Sequence, residues 1–128
     1  MIFTSEANVL VVDDVEAIRN FLRMVLGKSG FKNVDVAKDG DEVIQKSREK
    51  NYDLVFLDIN MPGPDGLCIL RWIRAKFPKT KVIMCSSNHS TEIVEEAEGL
   101  GATGFVRKPV VIKEFLSLLD NLQLDVAS

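Results

Sequence analysis

Five polar residues with complementary chemistry each follow a short apolar run of the sequence. They are Asp13, Asp14, Asp58, Ser86 and Lys108. Asp58 is the most informative of them, because it ends the unbroken apolar run of residues 54–57. A run of this length without alternation is typical of a strand buried on both faces of a parallel sheet. A carboxylate at the carboxyl end of such a strand lies where open α/β sheets bind their ligands.

The three carboxylates predict a divalent cation and phosphoryl chemistry. Carboxylates that share one cleft repel each other unless a cation neutralises them. Mg²⁺ takes oxygen ligands, uses one or two carboxylates, and keeps waters that a phosphate oxygen can replace. An Asp carboxylate can also act as the covalent nucleophile that forms an acyl phosphate. Lys108 would then place a positive charge beside a phosphoryl oxygen, and the Ser86 hydroxyl would donate a hydrogen bond to another.

A regular alternation of strands and helices must position these residues. Apolar runs predict five strands, at residues 9–12, 34–37, 54–57, 81–85 and 104–107. Apolar residues at helical spacing follow each run; the last helix carries Val111, Phe115, Leu116, Leu119 and Leu122. This order predicts an α/β fold, a doubly wound sheet of five parallel strands flanked by five helices. Because parallel strands point the same way, the five polar residues are expected to meet at one edge.

Length and composition predict one globular domain over residues 1–128, with its core at about residues 8–122. Of the 128 residues, 46% are hydrophobic and 27% are charged, which is typical of a globular protein. A net charge of −3 argues against direct nucleic-acid binding. No apolar run approaches 18 residues, so membrane insertion is not expected. Residues 1–6 lack the pattern of a secretory leader, which favours a cytoplasmic location.

A few other residues are interpreted structurally. Cys68 and Cys85 are expected to be buried thiols, since both lie in apolar stretches. His89, the single histidine, is expected to be a solvated loop residue. Gly99 and Gly101 are interpreted as the capping region at the end of the fourth helix.

Four stretches of the chain resemble the receiver domain of response regulators. They are residues 11–14, 57–66, 84–87 and 101–109, and the likeness runs from about residue 8 to residue 122. The combination, in this order and at these separations, is specific to that family. The resemblance implies a flavodoxin-like sheet with strand order 2-1-3-4-5. Within the family, the chain is most similar to stand-alone chemotaxis-type regulators.

The resemblance also implies roles for the acidic residues. Asp58 would accept a phosphoryl group from a histidine kinase or a phosphotransfer domain. Mg²⁺ (or Mn²⁺) would be held by Asp14, Asp58 and the backbone carbonyl of Asn60. Asp13 would act on the metal mainly through a coordinated water. The domain would catalyse only its own phosphorylation and dephosphorylation, and would otherwise be a signalling module.

The switch residues are likewise implied by the resemblance. Ser86 would be the hydroxyl that moves toward the phosphate, Phe105 the aromatic residue that rotates with it, and Lys108 the phosphate partner. A downstream protein would bind the face formed by helix four, strand five and helix five.

Other functions are weighed against this one. A Mg²⁺-dependent phosphatase with an Asp nucleophile needs a second Asp two residues later, where this chain has Asn60. A flavin carrier would need a phosphate loop rich in glycine and hydroxyls after the first strand, where this chain has Asp13 and Asp14. A receiver cut from a larger response regulator or a hybrid kinase would have the same pattern as a stand-alone one.

Overall fold

Strands and helices alternate along residues 6–122, the part of the chain that this computed structural model describes. The strands are β1 (Asn8–Val12), β2 (Asn33–Ala37), β3 (Leu54–Asp58), β4 (Lys81–Ser86) and β5 (Gly104–Arg107). The helices are α1 (Glu16–Lys28), α2 (Gly40–Glu49), α3 (Gly66–Lys76), α4 (Thr91–Gly99) and α5 (Ile112–Asn121). The two ends of the expected 1–128 domain, residues 1–5 and 123–128, lie outside the described residues.

The strands form one parallel sheet in the order β2-β1-β3-β4-β5, which confirms the predicted fold. β3 lies at the centre, and all five of its residues are buried. Its unbroken apolar run follows from that position, because helices cover both of its faces. Every strand ends at the same edge of the sheet, and this edge carries the predicted site.

The sheet separates two hydrophobic cores. Successive strand residues face opposite sides, so Val9 and Val11 pack in one core while Leu10 and Val12 pack in the other. Helices α1 and α5 cover the first core, and α2, α3 and α4 cover the second. In the described residues, no helix combines the length and the apolar character needed to cross a membrane.

The end of α4 confirms the capping interpretation of Gly101. Its backbone N–H donates to the carbonyl of Glu98 at 3.0 Å, and the N–H of Ala102 donates to the carbonyl of Ala97 at 3.0 Å. These two bonds form a Schellman motif, which places Gly101 in the left-handed region at φ +99°. A side chain would be strained there, so glycine suits the position.

Two sequence expectations are wrong in part. Cys85 is buried, and burial raises the pKa of its thiol to about 12, but Cys68 is exposed. Ile69 and Leu70 take the face of α3 that packs on the sheet, which leaves Cys68 on the outer side. The apolar stripe predicted for the last helix is buried only at Phe115, Leu119 and Leu122; Val111 and Leu116 are 50% and 39% exposed.

Candidate functional site

The carboxyl ends of four neighbouring strands bring the predicted site residues together. Asp13 follows β1, Asp58 ends β3, Ser86 ends β4, and Lys108 follows β5. One carboxylate oxygen each of Asp13, Asp14 and Asp58 lies within 4.8 Å of the others. The predicted convergence at one edge of the sheet is therefore present in the structure.

Lys108 lies between two buried carboxylates. Its Nζ donates a hydrogen bond to Asp13 Oδ2 at 2.6 Å and lies 3.1 Å from Asp58 Oδ1. The side chains of Asp13 and Asp58 are 2% and 4% exposed, and that of Lys108 is 15% exposed. One ammonium group faces two carboxylates here, so the cluster keeps a net negative charge before the exposed Asp14 is added.

The protonation equilibria follow from burial and from this contact. Burial raises the pKa of Asp58, although Lys108 opposes the shift. Burial alone would lower the pKa of Lys108, but its contacts with Asp13 and Asp58 outweigh that effect and raise it. Lys108 therefore stays charged at neutral pH, while burial disfavours the ionised form of Asp58, a cost that an additional cation would reduce.

The donor chemistry of this cluster fits a hard divalent cation. Its ligands would be carboxylate oxygens, from the buried Asp58 and the exposed Asp14. All three members of the group, Asp13, Asp14 and Asp58, offer carboxylate oxygens, the ligand type that suits magnesium and manganese.

The two buried acids differ in which oxygens are engaged. Asp13 uses both, because Oδ1 accepts from the backbone N–H of Val15 at 2.9 Å and Oδ2 accepts from Lys108. Asp58 Oδ1 faces Lys108 and accepts from the backbone N–H of Asn60 at 3.3 Å. No hydrogen bond from residues 6–122 reaches Asp58 Oδ2, so this oxygen remains available for an incoming electrophile.

Ser86 is fully buried at the end of β4, and its hydroxyl oxygen accepts two hydrogen bonds. The donors are Asn60 Nδ2 at 3.3 Å and the backbone N–H of Asn88 at 3.0 Å. With both bonds accepted by Oγ, the hydroxyl proton is left to donate to a phosphoryl oxygen. The side-chain link from Asn60 to Ser86 was not predicted, because the two residues are 26 positions apart in the chain.

Arg19 is a second residue that the sequence did not identify. Its Nη1 donates to the backbone carbonyl of Asp13 at 2.7 Å, from the first turn of α1 back to the end of β1. This bond fixes the loop that carries the acidic pair. The contact depends on where α1 folds relative to β1, and no local motif marks it.

Gly66 allows α3 to begin directly against the end of β3. Its backbone N–H donates to the carbonyl of Ile59 at 2.9 Å. A Cβ atom at Gly66 would overlap the carbonyl oxygen of Asp58 and lie 2.7 Å from the Cα atom of Ile59. Both of these neighbours are backbone atoms, so the end of β3 would have to shift to make room.

Gly66→Ala is therefore expected to lower the free energy of unfolding by about 1–3 kcal/mol, the usual cost of overpacking. Urea denaturation of the variant and the parent protein measures this change in the free energy of unfolding. Gly27→Ala is the matched control. Gly27 lies in helix α1, and a Cβ atom there would meet no atom within 4 Å. That change should be neutral or stabilising by up to about 1 kcal/mol. Equal stability of the two variants would contradict the close approach at Gly66.

Phe105 lies on β5, two residues from the level of Ser86. It pairs with Met84 in the β4–β5 register, is half-buried, and packs against the second core. Its ring borders a groove of about 360 Å³ between α4, β5 and α5, which Val94 and Leu118 also line. His89, at the rim of this groove, is an exposed loop residue as expected. The predicted rotation of Phe105 stays a prediction.

Comparison with known proteins gives a consistent result. The model of the response regulator receiver domain matches residues 9–120. Over 111 residues, the chain is 39% identical to the chemotaxis protein CheY of Listeria monocytogenes, and the match covers 87% of this chain and 93% of that protein. It is 38% identical over 111 residues to the transcriptional regulatory protein ResD of Bacillus subtilis; this match covers 87% of this chain but 45% of ResD.

A solved structure shows the same fold. In the CheX–CheY–BeF₃–Mg²⁺ complex from Borrelia burgdorferi, the matched chain superposes with a TM-score of 0.84 at 33% identity. The match covers 88% of this chain and 86% of that one.

Proposed function

The chain belongs to the response regulator receiver family, whose members are phosphoacceptor signalling switches, and we propose that Asp58 is the residue that accepts the phosphoryl group. One observation carries this assignment. Asp58 is buried in the cluster and no hydrogen bond within residues 6–122 reaches its Oδ2, whereas both oxygens of Asp13 are engaged. Asp14 is exposed at the edge, which suits a metal ligand better than a protected phosphoacceptor.

The transfer needs positioning and charge neutralisation more than acid–base catalysis. Asp58 Oδ2 attacks the phosphorus atom of a phosphohistidine on a histidine kinase or a phosphotransfer domain. The new O–P bond forms as the P–N bond breaks, and the electron pair of that bond stays on the imidazole. Lys108 pairs with one phosphoryl oxygen, and the Ser86 hydroxyl donates to another.

Mg²⁺ (or Mn²⁺) belongs to this proposal as the cation of the carboxylate cluster. Asp14, Asp58 and the backbone carbonyl of Asn60 would hold it, and Asp13 would act through a water. When bound, the metal supplies positive charge that offsets both the carboxylates and the phosphoryl oxygens. The domain in this proposal catalyses its own phosphorylation and hydrolysis.

A phosphatase is not favoured, because the Asn60 side chain donates to Ser86 and offers no carboxyl group as a general acid.

Signalling follows from a change of contacts around the phosphate. Ser86 moves toward the phosphoryl group, Phe105 rotates into the space that this leaves, and the face of α4, β5 and α5 changes shape. Phosphorylation shifts this equilibrium only through contacts that differ between the two states. The groove beside Phe105 supports this face as the contact surface for a downstream protein. The cytoplasmic location and the single domain over residues 1–128 stay predictions.

A metal-dependent labelling experiment tests the proposal. Incubation with acetyl phosphate and Mg²⁺ is expected to add one phosphoryl group, because the cation offsets the charge of the cluster and of the donor. Excess EDTA should reduce labelling at least about tenfold, as intact-mass spectrometry will show. Adding back Mg²⁺ beyond the EDTA is the control and should restore it. Undiminished labelling in EDTA would remove the metal from the mechanism.

A further inference from the structure

Asp14 is the least restrained of the three clustered acids. Its side chain is exposed, and no hydrogen bond from residues 6–122 reaches its carboxylate. One of its oxygens nevertheless lies within 4.8 Å of oxygens of Asp13 and Asp58. Three carboxylates this close repel one another, and the exposed Asp14 has solvent to turn into. The position of Asp14 beside the other two acids therefore depends on the backbone that precedes it.

The backbone of Asp13 is hydrogen-bonded on both sides. Its N–H donates to the carbonyl of Ala37 at 3.1 Å, and its carbonyl accepts from Arg19 Nη1 at 2.7 Å. The carbonyl of Asp13 and the nitrogen of Asp14 belong to one planar peptide group. A bond that orients this carbonyl therefore also sets the direction in which the chain continues into Asp14.

The Arg19 bond is the side-chain hydrogen bond that joins α1 to the acidic pair, among the described residues. α1 begins after Val15, which provides no capping hydrogen bond from its side chain. The next three helices do have such caps, at Asp39, Asp65 and Ser90. A helix start without a capping side chain leaves its first N–H groups to other partners, and the joint is less firmly fixed. The side chain of Arg19 therefore supplies a restraint that the cap does not.

We propose that Arg19 is a positioning residue of the metal site, whose bond to the Asp13 carbonyl holds Asp14 toward Asp58 and so raises the affinity for Mg²⁺. The inference rests on the metal site of the proposed function. When the bond is lost, Asp14 turns toward solvent for part of the time. The apparent dissociation constant then rises in inverse proportion to the fraction of molecules that stay competent to bind. Arg19 has no acceptor atom for a metal and acts through Asp14.

The charge of Arg19 predicts the opposite effect from its hydrogen bond. A guanidinium group beside the cluster repels Mg²⁺, so by charge alone a neutral residue at position 19 would tighten metal binding. Loss of the positioning bond instead weakens metal binding. The direction in which the dissociation constant changes therefore distinguishes the two roles.

Isothermal titration of the metal-free protein with MgCl₂ measures this direction. Arg19→Met keeps most of the apolar stem and removes the donors, and should raise the dissociation constant about three- to tenfold. Arg19→Lys keeps the charge and a donor group, and should bind within about twofold of the parent, because the contact is a single hydrogen bond. Arg23→Met is the matched control. It removes the same charge from an exposed position one turn further along α1, and should bind no more weakly than the parent.

A double substitution tests whether Arg19 acts through Asp14. In Asp14→Ala this ligand is absent, so adding Arg19→Met should change the dissociation constant by less than about twofold.

Two measurements without metal separate positioning from overall stability. The N–H of Val15, which donates to Asp13 Oδ1, should exchange with solvent at least about threefold faster in Arg19→Met than in the parent. Melting temperatures in EDTA report the stability of the whole domain. A merely structural residue would lower the melting temperature and leave Mg²⁺ binding by the folded protein unchanged.

Four results would each overturn the proposal. They are an Arg19→Met variant that binds Mg²⁺ as tightly as the parent or more tightly, an Arg19→Lys variant as weak as Arg19→Met, equal weakening in Arg23→Met, and additive effects of Arg19→Met and Asp14→Ala. A parent protein that binds no Mg²⁺ would instead remove the metal site itself, and the inference about Arg19 with it.

Discussion

Asp58→Asn is expected to take up no phosphoryl group from acetyl phosphate and Mg²⁺ at that position, a loss of at least about a thousandfold in labelling rate. The amide is no nucleophile at neutral pH, and Asp14 is exposed and lacks the ion pair with Lys108 that Asp58 has. Both oxygens of Asp13 are already engaged by Val15 and Lys108. Intact-mass spectrometry followed by peptide mapping measures the loss and its location.

The matched control for this substitution is Asp41→Asn. Asp41 is exposed in the first turn of α2, so the change removes the same charge away from the cluster. It should be labelled like the parent protein. If Asp58→Asn is labelled as well as Asp41→Asn, the phosphoacceptor is a different residue and the central assignment is wrong.

The site was predictable from the sequence because each of its residues follows a strand. In a parallel sheet the ends of the strands share one edge, so Asp13, Asp58 and Lys108 converge whatever the exact helix packing. The buried central strand also left a clear pattern, since residues 54–57 have no polar position. The strand order itself came from the family resemblance, because alternation of strands and helices is compatible with more than one order.

The features that were missed depend on side-chain placement across long separations in the chain. Asn60 reaches Ser86 and Arg19 reaches Asp13 only after the loops have folded over the edge of the sheet. The exposure of Leu116 was also not predictable, because α5 has apolar residues on two sides and spacing alone does not say which side meets the sheet. Cys68 was misassigned for a similar reason.

The structure adds a second role to Lys108, beyond the phosphate contact that the family implies. Its ammonium group lies between Asp13 and Asp58 and is the nearest cation to both. In this arrangement Lys108 partly neutralises the cluster, as a bound divalent cation also would. Breaking a buried ion pair by removing one partner leaves an uncompensated buried charge and costs about 3–5 kcal/mol. Lys108 and a bound divalent cation would therefore both offset the negative charge of Asp58, while Lys108 alone contacts Asp13 directly.

Lys108→Ala is expected to weaken the response to phosphorylation without preventing folding in the presence of Mg²⁺. The lost contact is a charge-assisted hydrogen bond to the phosphoryl group, worth about 1.5–3 kcal/mol. The ratio of active to inactive conformation in the phosphorylated protein should therefore fall at least about tenfold. Amide chemical shifts of α4, β5 and α5, recorded with and without acetyl phosphate, measure this response. Lys38→Ala, which removes an exposed ammonium group, should respond like the parent.

The effect of Mg²⁺ on the melting temperature of Lys108→Ala distinguishes an electrostatic role of Lys108 from a purely structural one. Within residues 6–122, Lys108 is the residue that forms ion pairs with Asp13 and Asp58, so metal binding should raise the melting temperature of this variant by more than it raises that of the parent. In EDTA the variant should be the less stable of the two, because Asp13 and Asp58 are then buried without a counter-charge. A melting curve that collapses equally with and without Mg²⁺ would mean that Lys108 acts through packing, and that its charge has no part in the switch.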